Sequence, residues 1–163
     1  MTRKPLLAIP VLFCLAVSAV FGGGPLPIGA TIPMADVKMK NVDGKELDLA
    51  EIKRPAGTLV VFTCNHCPFA KRWESRIIEL GNAYAAQGIG VVAINANDPK
   101  AYEEDSFDVM QKRANERGMQ FPYVVDATSN VARAFGATKT PEAFLFDKNR
   151  KLVYHGAIDD DGQ

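Results

Sequence analysis

Cysteine is scarce in this 163-residue chain, with three in all, and histidine and tryptophan are scarcer, at two and one. Three cysteines cannot form the dense disulfide framework of a small secreted scaffold. An excess of charge of either sign is also missing, because 19 Lys and Arg balance 19 Asp and Glu. The chain therefore offers no basic field to nucleic acid or anionic lipid. No internal repeat and no low-complexity stretch beyond Gly22 to Gly24 is present, which excludes solenoids and arrays. What remains, with 47% hydrophobic and 23% charged residues, describes one globular domain large enough to fold without a metal or a staple.

The first two dozen residues differ from the rest. Arg3 and Lys4 precede Pro5 to Phe21, a stretch with no charge and Ser18 as its one polar side chain, which runs into Gly22-Gly23-Gly24-Pro25. This layout predicts a secretory signal peptide over residues 1–24, cut within about 19–24, and a mature domain over 25–163 in the periplasm or another extracytoplasmic space. Seventeen residues interrupted by Pro10 fall short of the roughly 20 a membrane span needs, so an uncleaved membrane tether is the alternative. Loss of the leader removes Cys14, Arg3 and Lys4, leaving two cysteines and 17 basic against 19 acidic residues.

Along the mature chain, strands alternate with helices. Ala35 to Met39 and Glu46 to Leu49 flank the turn signal Asn41-Val42-Asp43-Gly44 and predict a short hairpin. Leu59 to Thr63 and Ile89 to Asn95 are apolar runs of the kind buried on both faces of a sheet. Helices are predicted from the cysteines to about Gln87, from about Glu104 to Arg117, and from Ser129 to Phe135. A short strand is expected at Tyr123 to Asp126, and Ala143 to Phe146 should pair with Lys151 to His155. The pattern predicts an α/β domain with a central mixed sheet flanked by helices.

The sharpest motif is Cys64-Asn65-His66-Cys67-Pro68, at the point where a buried strand gives way to a helix. Cysteines at i and i+3 at a helix start share a face, within the roughly 4.4–6.8 Å Cα separation of a disulfide. A disulfide closing so small a loop removes little unfolded-state entropy, so the pair reads as chemical rather than structural. A helix N-terminus stabilises a thiolate, which predicts Cys64 as nucleophile and Cys67, one turn in and more shielded, as the resolving thiol. Asn65 and His66 lie between the sulfurs, where an imidazolium at His66 would further support the Cys64 thiolate. Pro68 suits the first turn, where its missing N–H is harmless. A metal could take Cys64, His66 and Cys67, but a structural zinc site wants four ligands and the other histidine, His155, is far along the chain. No metal site is expected. Haem attachment needs a histidine directly after the second cysteine, where Pro68 stands. A second motif, Thr138-Lys139-Thr140-Pro141-Glu142, precedes a strand. Taken alone it fits an ordinary trans-proline loop, with a cis Thr140-Pro141 bond as the other reading.

Together with Ile94-Asn95-Ala96-Asn97-Asp98, Phe121-Pro122-Tyr123 and Tyr154-His155-Gly156, these motifs resemble the redoxin branch of the thioredoxin-fold proteins, which groups with alkyl hydroperoxide reductase and thiol-specific antioxidant domains. The resemblance covers about 28–158. It implies a thioredoxin-like fold with an N-terminal hairpin extension, Cys64 and Cys67 as a redox pair, and Pro141 as a cis-proline opposite them. Thr140 would offer its backbone to a bound substrate. It implies a thiol-disulfide oxidoreductase acting through a mixed disulfide, exported by the leader described above, with antioxidant activity among its attributes. Such a protein needs no cofactor beyond its own disulfide, and its partners would be protein or small-molecule disulfides and thiols together with a redox partner.

The sequence also departs from that pattern. A related peroxidase would carry Thr or Ser where Val61 stands and Pro where Gly57 stands. The acid buried beneath the cysteines of thioredoxin has no counterpart within Leu59 to Phe62, and Thr63 replaces the usual aromatic residue. No closing helix follows the final hairpin before Gln163, so a C-terminally truncated domain with a partly uncovered sheet face is expected. A copper-binding module and a thiol peroxidase are the alternatives to the oxidoreductase.

Overall fold

The computed structural model describes residues 24–52 and 54–159, so the leader expected over residues 1–24 lies almost wholly outside the described residues. A seven-stranded mixed sheet, ordered β2-β1-β5-β4-β3-β6-β7, organises the chain. Its strands are β1 (Met39–Asn41), β2 (Glu46–Leu47), β3 (Gly57–Phe62), β4 (Ile89–Asn95), β5 (Tyr123–Val125), β6 (Glu142–Phe146) and β7 (Leu152–Gly156). The helices are α1 (Leu49–Ile52), α2 (Pro68–Ala85), α3 (Phe107–Glu116) and α4 (Asn130–Phe135). β3 pairs in parallel with β4 and antiparallel with β6, and β4 pairs in parallel with β5. The expected α/β class and mixed sheet are present, including the hairpin extension, whose β1 joins the sheet antiparallel to β5.

The central strands are apolar on both faces because each face carries a packed layer over most of its length. On one face Phe62, Phe135, Phe144 and Phe146 pack edge-to-face with centroids 5.2–5.9 Å apart, a geometry that favours aromatic quadrupoles over a flat stack. On the other, Val61, Val91 and Tyr123 meet Ile77 and Ile78 of α2 and Met110 and Ala114 of α3. Gly81 lets α2 approach that layer, since a Cβ there would fall 2.2 Å from the Phe121 ring. Gly136 ends α4 at φ +65°, a conformation glycine adopts without a steric cost. An apolar groove of about 330 Å³ opens on the α2 face between Leu59, Leu145 and Tyr154.

Several element boundaries differ from the sequence expectation. β1 starts at Met39 rather than Ala35, β2 stops at Leu47, and Leu49, predicted to end the second hairpin strand, opens α1. α2 starts at Pro68, with Cys67 in extended geometry at the capping position, rather than at Cys64. The helix predicted from Glu104 is split into a 3-10 turn over Glu103–Asp105, an extended Ser106, and α3. That break frees the Asp105 side chain to turn inward.

Candidate active site

The loop between β3 and α2 holds both described cysteines as free thiols. Thr63 extends the β3 ladder by donating to the Ile94 carbonyl at 2.9 Å, which delivers Cys64 to the carboxyl end of the central strands. The loop carrying Thr140 approaches from β6, across a cis Thr140-Pro141 bond, as the resemblance implies and contrary to the trans loop favoured by the residues alone. Both sulfurs meet Thr140: Cys64 Sγ lies 3.1 Å from its hydroxyl and Cys67 Sγ 3.6 Å from its carbonyl oxygen. The Cys64-Cys67 pair and the Thr140-Pro141 pair, more than 70 residues apart in sequence, thus converge.

The expected division of labour between the cysteines is reversed in burial. Cys64, expected to be the open sulfur at a helix start, is 5% exposed; Cys67, expected to be shielded, is half-buried. Because α2 begins one residue after Cys67, the free backbone N–H groups at its start face Cys67. Burial pushes the Cys67 thiol up, but the N–H of Ala70, the Thr140 hydroxyl and the N–H of Phe69 outweigh it, and its pKa is lowered. Burial pushes the Cys64 thiol up, and the Thr140 hydroxyl does not offset this; the charge on Asp105 adds to the rise.

Beneath the loop lies a buried acid that the sequence reading did not find. Asp105 accepts from the Asn65 backbone N–H at 2.5 Å, from Asn97 Nδ2 at 2.9 Å and from Asn95 Nδ2 at 3.2 Å. Its other close partner is His66 Nδ1, at 2.5 Å. Burial would raise the carboxyl pKa, yet the bonds from Asn97, Asn65 and His66 prevail and hold it below the ordinary carboxylate range. An ionised carboxylate only accepts, so Nδ1 of His66 carries the proton in this bond and Nε2 is left for other use. The ring stacks on Tyr102 with centroids 3.7 Å apart and planes within 5°. Asn65 is fixed as firmly: its Oδ1 accepts from the Tyr123 hydroxyl at 3.0 Å and its Nδ2 donates to the Glu104 carbonyl at 2.9 Å. Pro68 is the first residue of α2.

Asp105 escaped detection because it comes from a third segment, about forty residues downstream, inside the acidic run Glu103-Glu104-Asp105 that reads as a solvated helix face. Glu142 is a second buried acid, 2% exposed. Its carboxylate accepts from the Thr138 and Lys139 backbone N–H groups at 2.8 and 3.4 Å and meets His155 Nε2 at 2.7 Å. His155 is thereby committed to the Pro141 loop. Donor atoms of Cys64, His66 and Asp105 lie within 4.8 Å of one another, but His66 Nδ1 and Asp105 Oδ2 are spent on each other, and His155 is not among the three.

Residues 28–155 match the model of the AhpC/TSA family. The chain is 31% identical over 125 residues to thiol-disulfide oxidoreductase ResA of Geobacillus thermodenitrificans, covering 77% of this chain and 66% of that relative's length. An uncharacterized conserved protein from Geobacillus kaustophilus is 42% identical and superposes with a TM-score of 0.79 over 82% of this chain and 70% of that one. The thioredoxin domain of a thiol-disulfide oxidoreductase from Bacteroides vulgatus, at 20% identity, shares the fold with a TM-score of 0.66 over 83% of this chain and 92% of that one. The matched span contains the paired cysteines, the inward-turned Asp105 and the Pro141 loop on one thioredoxin-like sheet, and on this ground the chain belongs to the AhpC/TSA family.

Proposed function

We propose that this chain is a thiol-disulfide oxidoreductase that works through the Cys64-Cys67 pair. The observation that carries the proposal is the meeting of both sulfurs at Thr140, 3.1 and 3.6 Å away, beside cis-Pro141. In the reducing direction, a cysteine thiolate attacks one sulfur of a substrate disulfide, and the other substrate sulfur leaves as a thiolate. The second cysteine then attacks the mixed disulfide, releasing the second substrate thiolate and closing Cys64-Cys67. Two electrons pass to the substrate, and the two cysteine protons end on the released thiols. The reverse sequence oxidises a substrate dithiol. No cofactor beyond the cysteine pair enters either direction; a thiol or disulfide partner resets it.

Cys67 faces the open side of the site with its pKa lowered, so we place the first attack there, in place of the Cys64 attack expected from helix position. Asn65 and Pro68 shape the loop, and Thr140 and Pro141 bound the substrate side. His66 and Asp105 form a fixed dyad beside Cys64, where Nε2 of the imidazole can take the proton of the second thiol; this dyad replaces the acid missing beneath β3. The apolar stretch behind Arg3 and Lys4 supports an extracytoplasmic location, cleaved or tethered. Among the described residues no helix is long and apolar enough to cross a membrane.

The test is reduction of hydroxyethyl disulfide by the dithiothreitol-reduced protein, followed by thiol counting. Stoichiometric turnover with loss of both cysteine thiols is expected. Undiminished turnover in a Cys64→Ser/Cys67→Ser variant overturns the proposal.

A further inference from the structure

Beside Cys67 the surface dips into a cleft of about 410 Å³, a size that holds a small molecule or a few residues of a peptide, since such sites run to about 300–1,000 Å³. Phe62, Ile94 and Ala132 supply apolar floor, and the segment Thr138 to Thr140 forms one wall. The ionisable side chains lining it besides Cys67 are His66, Tyr102, Arg133 and Lys139, with no Asp or Glu among the described lining residues. In a chain with 19 charges of each sign, that one-sided lining is local. Ionised Asp105, 2.5 Å from His66, sets one buried negative charge against the two positive charges of Arg133 and Lys139, which keep the cleft positive. Arg133 Nη2 donates to the Thr128 carbonyl and to Asn130 Oδ1, both at 2.6 Å, and neither partner is charged. Glu142 takes the Lys139 backbone N–H, leaving its ammonium free of that bond. Glu104, the acid on the rim of the loop, is held by Lys71 at 2.6 Å outside the lining.

Low-dielectric walls focus such a field on whatever enters. Resting on the oxidoreductase reading above, we propose that the cleft selects disulfides that carry a carboxylate close to the reacting sulfur, as acidic peptide disulfides of glutathione size do, with Arg133 and Lys139 as the recognition residues. The substrate S–S bond breaks and the Cys64-Cys67 bond forms. Both electrons come from the cysteine pair, and its two protons leave on the two product thiols, whose carboxylates remain paired with the cations until release.

The experiment compares kcat/KM of the reduced protein for three disulfides: oxidised glutathione, which is anionic, cystamine, which is cationic, and the neutral hydroxyethyl disulfide. Each exposed cation contributes about threefold, so glutathione should exceed cystamine by about tenfold. The ratio should fall toward one in Arg133→Gln/Lys139→Gln, whose altered side chains are both solvent-exposed. It should fall likewise for the unaltered protein in 1 M salt, where screening acts over about 3 Å. A ratio at or below one in the unaltered protein, or one that survives both the substitution and the salt, overturns the proposal. Failure to reduce even hydroxyethyl disulfide overturns the oxidoreductase reading instead. Longer peptide disulfides flanked by Asp or by Lys separate the sources: discrimination confined to glutathione supports a small substrate, and discrimination extending to the long pair supports an acidic chain.

Discussion

Asp105 and His66 face each other at 2.5 Å across the cysteine loop, a carboxylate wholly excluded from solvent against an imidazole that is 24% exposed. The pair is held from both sides, by Asn65, Asn95 and Asn97 on the acid and by Tyr102 on the ring. A fixed acid-imidazole pair within 4.8 Å of Cys64 Sγ orients one ring nitrogen and frees the other for proton transfer.

Replacing Asp105 by Asn should cost about 3 kcal/mol of stability, because four donors then share a weaker acceptor and one meets an amide instead. Urea unfolding measures this. The folded carboxyl pKa lies below its ordinary value, so its stabilisation is complete above about pH 4 and fades as pH falls below that value. The Asn variant should show a flatter stability profile in that window; an unchanged slope would assign the acid sensitivity to other groups.

The cysteines should differ in alkylation. Iodoacetamide should label Cys67 first, with a midpoint below that of an ordinary thiol, and Cys64 later, with a midpoint above it. Either serine substitution should abolish turnover. A mixed disulfide should accumulate in Cys64→Ser, where the attacking sulfur is left without its partner. Accumulation in Cys67→Ser alone would restore the role expected from sequence position.

Glu142→Gln tests the support of the Pro141 loop. The amide still accepts one N–H but loses the charge that His155 and the Thr138 and Lys139 amides converge on. Stability should fall by about 1–3 kcal/mol, with kcat/KM reduced as Thr140 loses its position. Glu142→Asp should recover little of either, because the shorter arm cannot span the same bonds.

Gly81→Ala separates packing from chemistry. A Cβ 2.2 Å from Phe121 forces α2 or the ring to shift, at about 1–3 kcal/mol in thermal or urea unfolding. The labelling midpoints of the cysteines should stay in place, since Gly81 lies more than three turns into α2.

Much of this protein is determined locally. The two-faced apolar runs at β3 and β4 can satisfy their side chains only inside a covered sheet, and glycines mark where α2, α3 and α4 end, so sheet class and element order follow from sequence pattern. The i, i+3 spacing of Cys64 and Cys67 likewise places two sulfurs together whatever the rest of the chain does. Tertiary structure alone decided what surrounds them. Pro68 set the helix start one residue past Cys67, which moved the helix N–H groups from the first sulfur to the second. Asp105, in a charged run that reads as solvent-facing, became a buried acid because amides from three other positions converge where the chain breaks before α3. Thr140, 76 residues from Cys64, reached the sulfur through strand pairing between β3 and β6. Burial and long-range pairing depend on contacts between distant segments, and no local pattern encodes which segments will meet.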